Sequence, residues 1–248
     1  MKINKMLKIC KDIYDSYEPN KEDINLYKNH PHLFVLGCVM DSQIDADKAW
    51  NIPKLVANEV GGFDFQFFTQ KDEQFFIQLF KEKKYHRFNE KMGEAFYYAI
   101  QLILNKYNGD ASDIWNDEPT SAELVCRFLE FKKIGVKIAT MAANLLARDY
   151  KVKLKDYYSI DISPDVHVKR TMFRMGLLGN FECDDLTKID PNKVIYRARS
   201  INPTFPGLMD LAFWKVGFDR ICTNTKCNAK RCPFAEVCIK QGVENVEE

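Results

Sequence analysis

Apolar residues recur along most of this chain at the three-to-four-residue spacing of one helix face. Phe96, Ile100, Ile103, Leu104 and Tyr107 form such a stripe, and Asn108-Gly109 then supplies a stop. Thr69 is a candidate N-cap for a helix through Phe75, Phe76, Leu79 and Phe80. Thr120 and Glu123 have capping-box spacing after Pro119, which predicts a helix over residues 121–131. A break at residues 133–135 leads into a helix carrying Ile138, Met141, Ala142 and Leu145, where Ala139, Ala142 and Ala143 would let another helix approach closely. Residues 149–163, rich in Lys, Asp and Tyr, lose the periodicity and read as a long loop. Pro164-Asp165 opens another helix with Val168, Met172, Met175 and Leu178, and further helices fit residues 192–200 and 207–218. No strand ladder and no internal repeat emerges, so an all-α protein is expected.

Composition bounds this picture. The 248 residues allow one large domain or two modest ones, and 46% hydrophobic content supplies a core. No stretch approaches the ~20 apolar residues of a membrane span, and the first residues lack the continuous apolar run of a signal peptide. A soluble, intracellular protein is expected. The net charge of +1 rules out a polycationic coat but not one basic face. Positive charge does gather locally, at Lys81, Lys83, Lys84, Arg87 and Lys91, at Lys132, Lys133 and Lys137, and at Lys226, Lys230 and Arg231. Any one of these runs taken singly reads as a solvated face.

Three segments carry chemistry. In Phe131-Lys132-Lys133-Ile134-Gly135-Val136-Lys137 a helix ends, turns at Gly135 and begins again, which presents a helix N-terminus to an anion such as phosphate. Taken singly, such a turn is better explained by structure alone. Pro164-Asp165-Val166-His167-Val168-Lys169-Arg170 places a carboxylate at a helix start, where it can act as an N-cap. Cys222, Cys227, Cys232 and Cys238 fall within 17 residues, whereas Cys10, Cys38, Cys126 and Cys183 are scattered. In a reducing compartment the cluster indicates metal ligation, with four thiolates suited to an iron–sulfur cluster or to zinc.

These segments occur in the order found in endonuclease III-like helix-hairpin-helix DNA glycosylases, which the chain resembles over roughly residues 30–240. In that family the hairpin reads Leu-Pro-Gly-Val-Gly-x-Lys with the lysine as nucleophile, which implies Lys137 here. The family's aspartate, two residues before the His of the second motif, implies Asp165; Asp161 lacks the His and Arg that should follow. Base excision breaks a C–N bond as positive charge develops on the sugar, so a carboxylate stabilises the transition state. A lysine amine can attack C1′ and form a Schiff base that permits strand cleavage.

The resemblance also implies DNA contacts. Met40-Asp41-Ser42-Gln43-Ile44-Asp45 looks like the family's Leu-Ser-x-Gln-x-Thr-Asp stretch, whose Gln enters the duplex near the flipped base, so Gln43 is the matching residue. His86-Arg87-Phe88-Asn89-Glu90-Lys91-Met92 stands for a second wedge loop, with Arg87 in place of the apolar wedge. Lys133, Ile134, Gly135 and His167 would contact DNA from the two motifs, and Lys230 and Arg231 from the cysteine loop. The first, third and fourth cysteines match the family's iron–sulfur spacing and the second is displaced. A [4Fe–4S] cluster is therefore expected on Cys222, Cys227, Cys232 and Cys238, with zinc as the alternative. The hairpin lacks the family's proline and first glycine, and the 28 positions from Lys137 to Asp165 are about ten more than usual, a loop insertion. Tyr150, Tyr157 and Tyr158 in that loop could stack on a base or simply pack.

The expected architecture is a helix-hairpin-helix glycosylase fold with two helical domains. One, residues 31–149, is a helical barrel containing the hairpin. The other combines residues 1–30 with 150–248 and includes the cluster loop at 222–238, with DNA across the cleft between them. The expected function is a glycosylase with AP-lyase activity on a damaged or modified base in double-stranded DNA, in a monomeric, cytoplasmic, DNA-associated protein. A monofunctional glycosylase using water, or a non-catalytic DNA-binding module, is the alternative.

Overall fold

Side-chain carboxylates, amides and hydroxyls punctuate the chain, and the computed structural model places helix starts directly after them. It describes residues 2–157, 160–179, 183, 185–243 and 245–247. In chain order the α-helices are α1 (Lys2–Ser16), α2 (Lys21–Asn29), α3 (Pro31–Met40), α4 (Ala46–Val60), α5 (Phe65–Thr69) and α6 (Glu73–Lys83). There follow α7 (Asn89–Lys106), α8 (Ser121–Leu129), α9 (Val136–Arg148), α10 (Val166–Arg174), α11 (Pro191–Ile201) and α12 (Asp210–Phe218). Asn20, Asp45, Thr120 and Asp190 cap α2, α4, α8 and α11 through side-chain oxygens that accept backbone N–H groups.

Several boundaries differ from the sequence expectation. Thr69 is the last residue of α5, and Asp72 caps α6, its Oδ1 accepting from the Phe75 N–H at 2.8 Å. The carboxylate lies at the true chain reversal, and Thr69 Oγ1 donates back to the Gln66 carbonyl instead. Helix α8 ends at Leu129; Phe131 is buried in the turn and stacks on Tyr107. Helix α10 ends before Met175 and Leu178, because Gly176 takes φ 72° and the chain leaves the helix. Two three-residue strands also form where none was expected: β1 (Lys226–Asn228) pairs in parallel with β2 (Asn245–Glu247), so the chain's end adds an edge to the cysteine loop.

The chain divides into two units, residues 19–155 and residues 1–18 with 156–248. Residues 19–30, grouped by sequence with the far end of the chain, fall in the first unit because Tyr27 of α2 packs edge-on against Phe34 and Trp50. At the centre of that unit, α3 is buried from His32 to Met40 and packs against α4, α7 and α9. Tyr150, from the irregular loop, joins this core against Tyr27 and Phe34. In the second unit α10 packs on α12, and Met6 and Cys10 of α1 join a core with Val168, Met172, Phe213 and Phe234. There Tyr157 packs on Phe205 and shares a hydrogen bond with Tyr14, while Tyr158 lies outside the described residues. Among the described residues no helix is long and apolar enough to cross a membrane.

His32 lies 4% exposed against Phe65 and Phe68, and burial lowers its pKa from 6.5 to about 4. The unfolded chain therefore binds a proton at a pH where the folded chain does not, and stability falls as pH drops from about 6.5 to about 4. We expect this residue to contribute a loss of about 3 kcal/mol over that window. Urea unfolding as a function of pH measures it, and His32→Gln should abolish that component.

Candidate active site

The α8–α9 turn is built around a side chain in the left-handed region. Lys133 takes φ 71°, at the position where the resembled hairpin has its first glycine. The Ile134 N–H donates to the Phe131 carbonyl at 3.2 Å, and Ile134 is 7% exposed, so the turn is pinned from inside. Gly135 is the N-cap of α9, and no side chain caps this helix. Its φ is −105°, an ordinary value, and a Cβ built on it would meet nothing within 4 Å. The fold therefore does not need glycine here. Its bareness leaves the helix N-terminus open to close approach by an anion.

Lys137, in the first turn of α9, keeps 32% of its side chain exposed. Its Nζ donates to Asp41 Oδ2 at 2.5 Å, and the Asp41 side chain is only 7% exposed. Asp41 stands at the C-terminus of α3, its N–H bonded to the Gly37 and Cys38 carbonyls. Cys38, fully buried, feels both charges; burial first and then Asp41 push its thiol well above the ordinary value. Lys137 was singled out by its motif. Asp41 was not singled out, although an acidic residue directly after the apolar run from Leu33 to Met40 is a signal that could have found it.

Gln43 and Arg87 come together although 44 positions separate them. Arg87 Nη1 donates to the Gln43 carbonyl at 3.5 Å, and its guanidinium lies 4.8 Å above the Phe88 ring. Both residues are exposed, and Gln43 takes φ 59°. The loop beneath Arg87 is held firmly: His86 is 2% exposed, its Nδ1 accepts from the Phe88 N–H, and Asn89 Oδ1 accepts from the His86 N–H.

In the other unit Asp165 caps α10, its Oδ1 accepting from the His167 N–H at 2.7 Å. Asp161, the weaker carboxylate candidate, forms two 2.7 Å bonds with Arg199. One turn on from Asp165, Arg170 ties the helix to the cysteine loop. Its Nε donates to Asn224 Oδ1 at 3.0 Å and its Nη1 to the Cys222 carbonyl at 2.9 Å, with His167 Nδ1 at 3.4 Å. Arg174, a further turn on, donates from Nη1 to the Gln241 carbonyl and from Nη2 to the Asn224 carbonyl. Neither arginine was foreseen as part of the loop's anchorage, since nothing in the local pattern says which backbone carbonyls it will meet.

Cys222, Cys227, Cys232 and Cys238 all line one cavity with Thr171, Arg174, Met175, Val216 and Phe234. Burial, followed by mutual repulsion between their charged forms, pushes Cys222 up to about 11, and burial raises Cys232 to about 11. Four thiolates at that spot therefore require a compensating cation. Among the described residues no three His, Cys, Asp or Glu side chains are disposed to hold a single metal ion. Arg174 Nε, buried beside the cavity, has no hydrogen-bond partner among the described residues. Four cysteines lining one buried cavity beside Arg174 would suit an anionic iron–sulfur cluster, which their thiolates would hold. Lys226, Lys230 and Arg231 are exposed on the same loop.

No family model matches the chain, and no curated protein matches it. Among solved structures it is similar to endonuclease III in a trapped covalent intermediate with DNA, described as an estranged-adenine complex. The TM-score is 0.63 at 13% identity, over 95% of this chain and 92% of that one. The chain therefore has the all-α helix-hairpin-helix fold of endonuclease III.

The support beneath the second motif makes a steric demand. A Cβ on Gly217 of α12 would lie 2.6 Å from His167 Cβ and Nδ1. Gly217→Ala should displace His167 and lower stability by roughly 1–3 kcal/mol, read as a fall in thermal midpoint.

Proposed function

We propose that this chain is a DNA glycosylase with AP-lyase activity, acting on a damaged or modified base in double-stranded DNA. The observation that carries the reading is Lys137, a partly exposed amine in the first turn behind an uncapped, glycine-opened helix N-terminus. A phosphate bound at that N-terminus would bring a nucleotide's sugar to the amine. Endonuclease III, whose fold this chain has, was trapped in a covalent intermediate with DNA, and an amine that attacks C1′ is chemistry that yields such an adduct.

In this mechanism Lys137 Nζ attacks C1′ as the bond to the base breaks, and the resulting Schiff base permits β-elimination of the 3′ phosphate. The Asp165 carboxylate stabilises the positive charge that develops on the sugar. Gln43 and the adjoining Arg87 fill the gap left by the extruded nucleotide. Lys133, Ile134 and Gly135 hold the backbone through the hairpin, His167 contributes from α10, and Lys230 and Arg231 meet phosphates from the cysteine loop. Cys222, Cys227, Cys232 and Cys238 hold a [4Fe–4S] cluster that cross-links that loop. Zinc held by the same four thiolates is the alternative.

Borohydride trapping on a duplex containing an abasic site tests the lyase. The wild-type protein should form a covalent adduct and Lys137→Ala none; a glycosylase that uses water would form none in either. Asp165→Asn separates capping from catalysis, because Asn caps a helix about as well as Asp. Its thermal midpoint should stay near that of the wild type, while base release from a panel of lesion duplexes falls by at least ~10²-fold.

The cluster has its own check. Purified protein should carry about four iron ions per chain with broad visible absorbance, and Cys232→Ser should lose most of both. Zinc at one ion per chain, with no visible band, would contradict the assignment.

A further inference from the structure

We infer that Asp41 is a positioning residue that accepts the proton Lys137 must lose before it can attack. The inference rests on the reading of Lys137 as the nucleophile. An ordinary lysine with pKa ~10.4 is almost wholly protonated at neutral pH, and an ammonium has no electron pair to offer. Asp41 places a carboxylate oxygen 2.5 Å from that Nζ, at the end of a helix buried along its length. A 7%-exposed carboxylate is costly to bury without a function or a charged partner, and this one holds the single side chain from which the proposed chemistry needs a proton.

The step balances as follows. The Nζ–H bond breaks and its proton passes to Asp41 Oδ2, leaving the electron pair on Nζ. That pair forms the bond to C1′, the C1′–N bond breaks, and its electrons leave with the base. The base takes a proton from water, and Asp41 returns its own proton to the hydroxide that remains. Because the proton moves within the pair, the fraction of attacking amine does not depend on bulk pH through the neutral range.

Two neighbouring titratable groups leave that range clear. Cys38, facing both partners from α3, is held neutral by burial and by Asp41. The His86 ring, on the loop before α7, turns toward the Met40 and Ser42 carbonyls and is kept neutral chiefly by burial. Lys48 of α4 and Arg87 push His86 in the same direction. Neither Cys38 nor His86 changes its charge between about pH 7 and about pH 9.

The experiment is the single-turnover rate of borohydride trapping against pH for the wild-type protein and Asp41→Asn. Asp41→Ser is run in parallel, and the slope is taken from whichever variant retains the wild-type circular dichroism spectrum. In the variant the ammonium must lose its proton to solvent. The ratio of wild-type to variant rate should therefore fall about tenfold for each pH unit from about 7 to about 9, with the variant recovering at the alkaline end. A ratio constant with pH overturns the inference, because a merely structural loss would lower both rates in proportion. A variant inactive even at alkaline pH overturns it too. If the wild-type protein forms no adduct at all, the reading of Lys137 fails and this inference with it; adduct formation abolished by Lys137→Ala, alongside a flat ratio, removes Asp41 alone.

Discussion

A charged amine drawn partly out of water must keep an opposite charge beside it. In this chain that requirement joins two segments 96 positions apart, Asp41 at the end of α3 and Lys137 at the start of α9. Eight apolar residues bury α3 among α4, α7 and α9, and the next residue is the carboxylate that α9 needs. Gln43 follows two residues later, outside the buried run, and meets Arg87 from the loop before α7. One buried helix thus sets the position of an amine's partner and of two exposed side chains at once.

The other unit obeys a related constraint. Its second motif helix, α10, carries Asp165 at its start and two arginines further along, which donate to the cysteine loop and, from Arg174, to Gln241 just beyond it. Guanidinium groups buried to this degree need several acceptors, and loop carbonyls provide them. The loop is therefore fastened to the helix that bears the carboxylate. Arg174 Nε is the donor left over, on a side chain that lines the cavity shared by the four thiols.

Much of the helical pattern was legible because periodicity and caps are local. Thr120, Asp165 and the Asn108-Gly109 stop stand where the spacing put them, with Gly109 at φ 81°. Thr69 misled because a hydroxyl and a carboxylate three residues apart can both cap, and only the path of the chain chooses between them. Met175 and Leu178 continued an apolar period past a glycine that ends the helix. The hairpin lysine and the cysteine cluster could be named from short motifs. The partners of Asp41, Arg170 and Arg174 could not, because they are distant in sequence, and a single sequence does not reveal those pairings. Lys133 illustrates both sides: its motif position was readable, but not that a lysine would accept the left-handed backbone at φ 71°.

The central claim is that one particular amine becomes covalently joined to DNA. Peptide mapping by mass spectrometry of the borohydride-reduced adduct, formed on a duplex with an abasic site, tests it most directly. The account predicts that the sugar remnant is carried by Lys137 alone. A remnant on Lys132, Lys133 or any other amine, with Lys137 recovered unmodified, would contradict it.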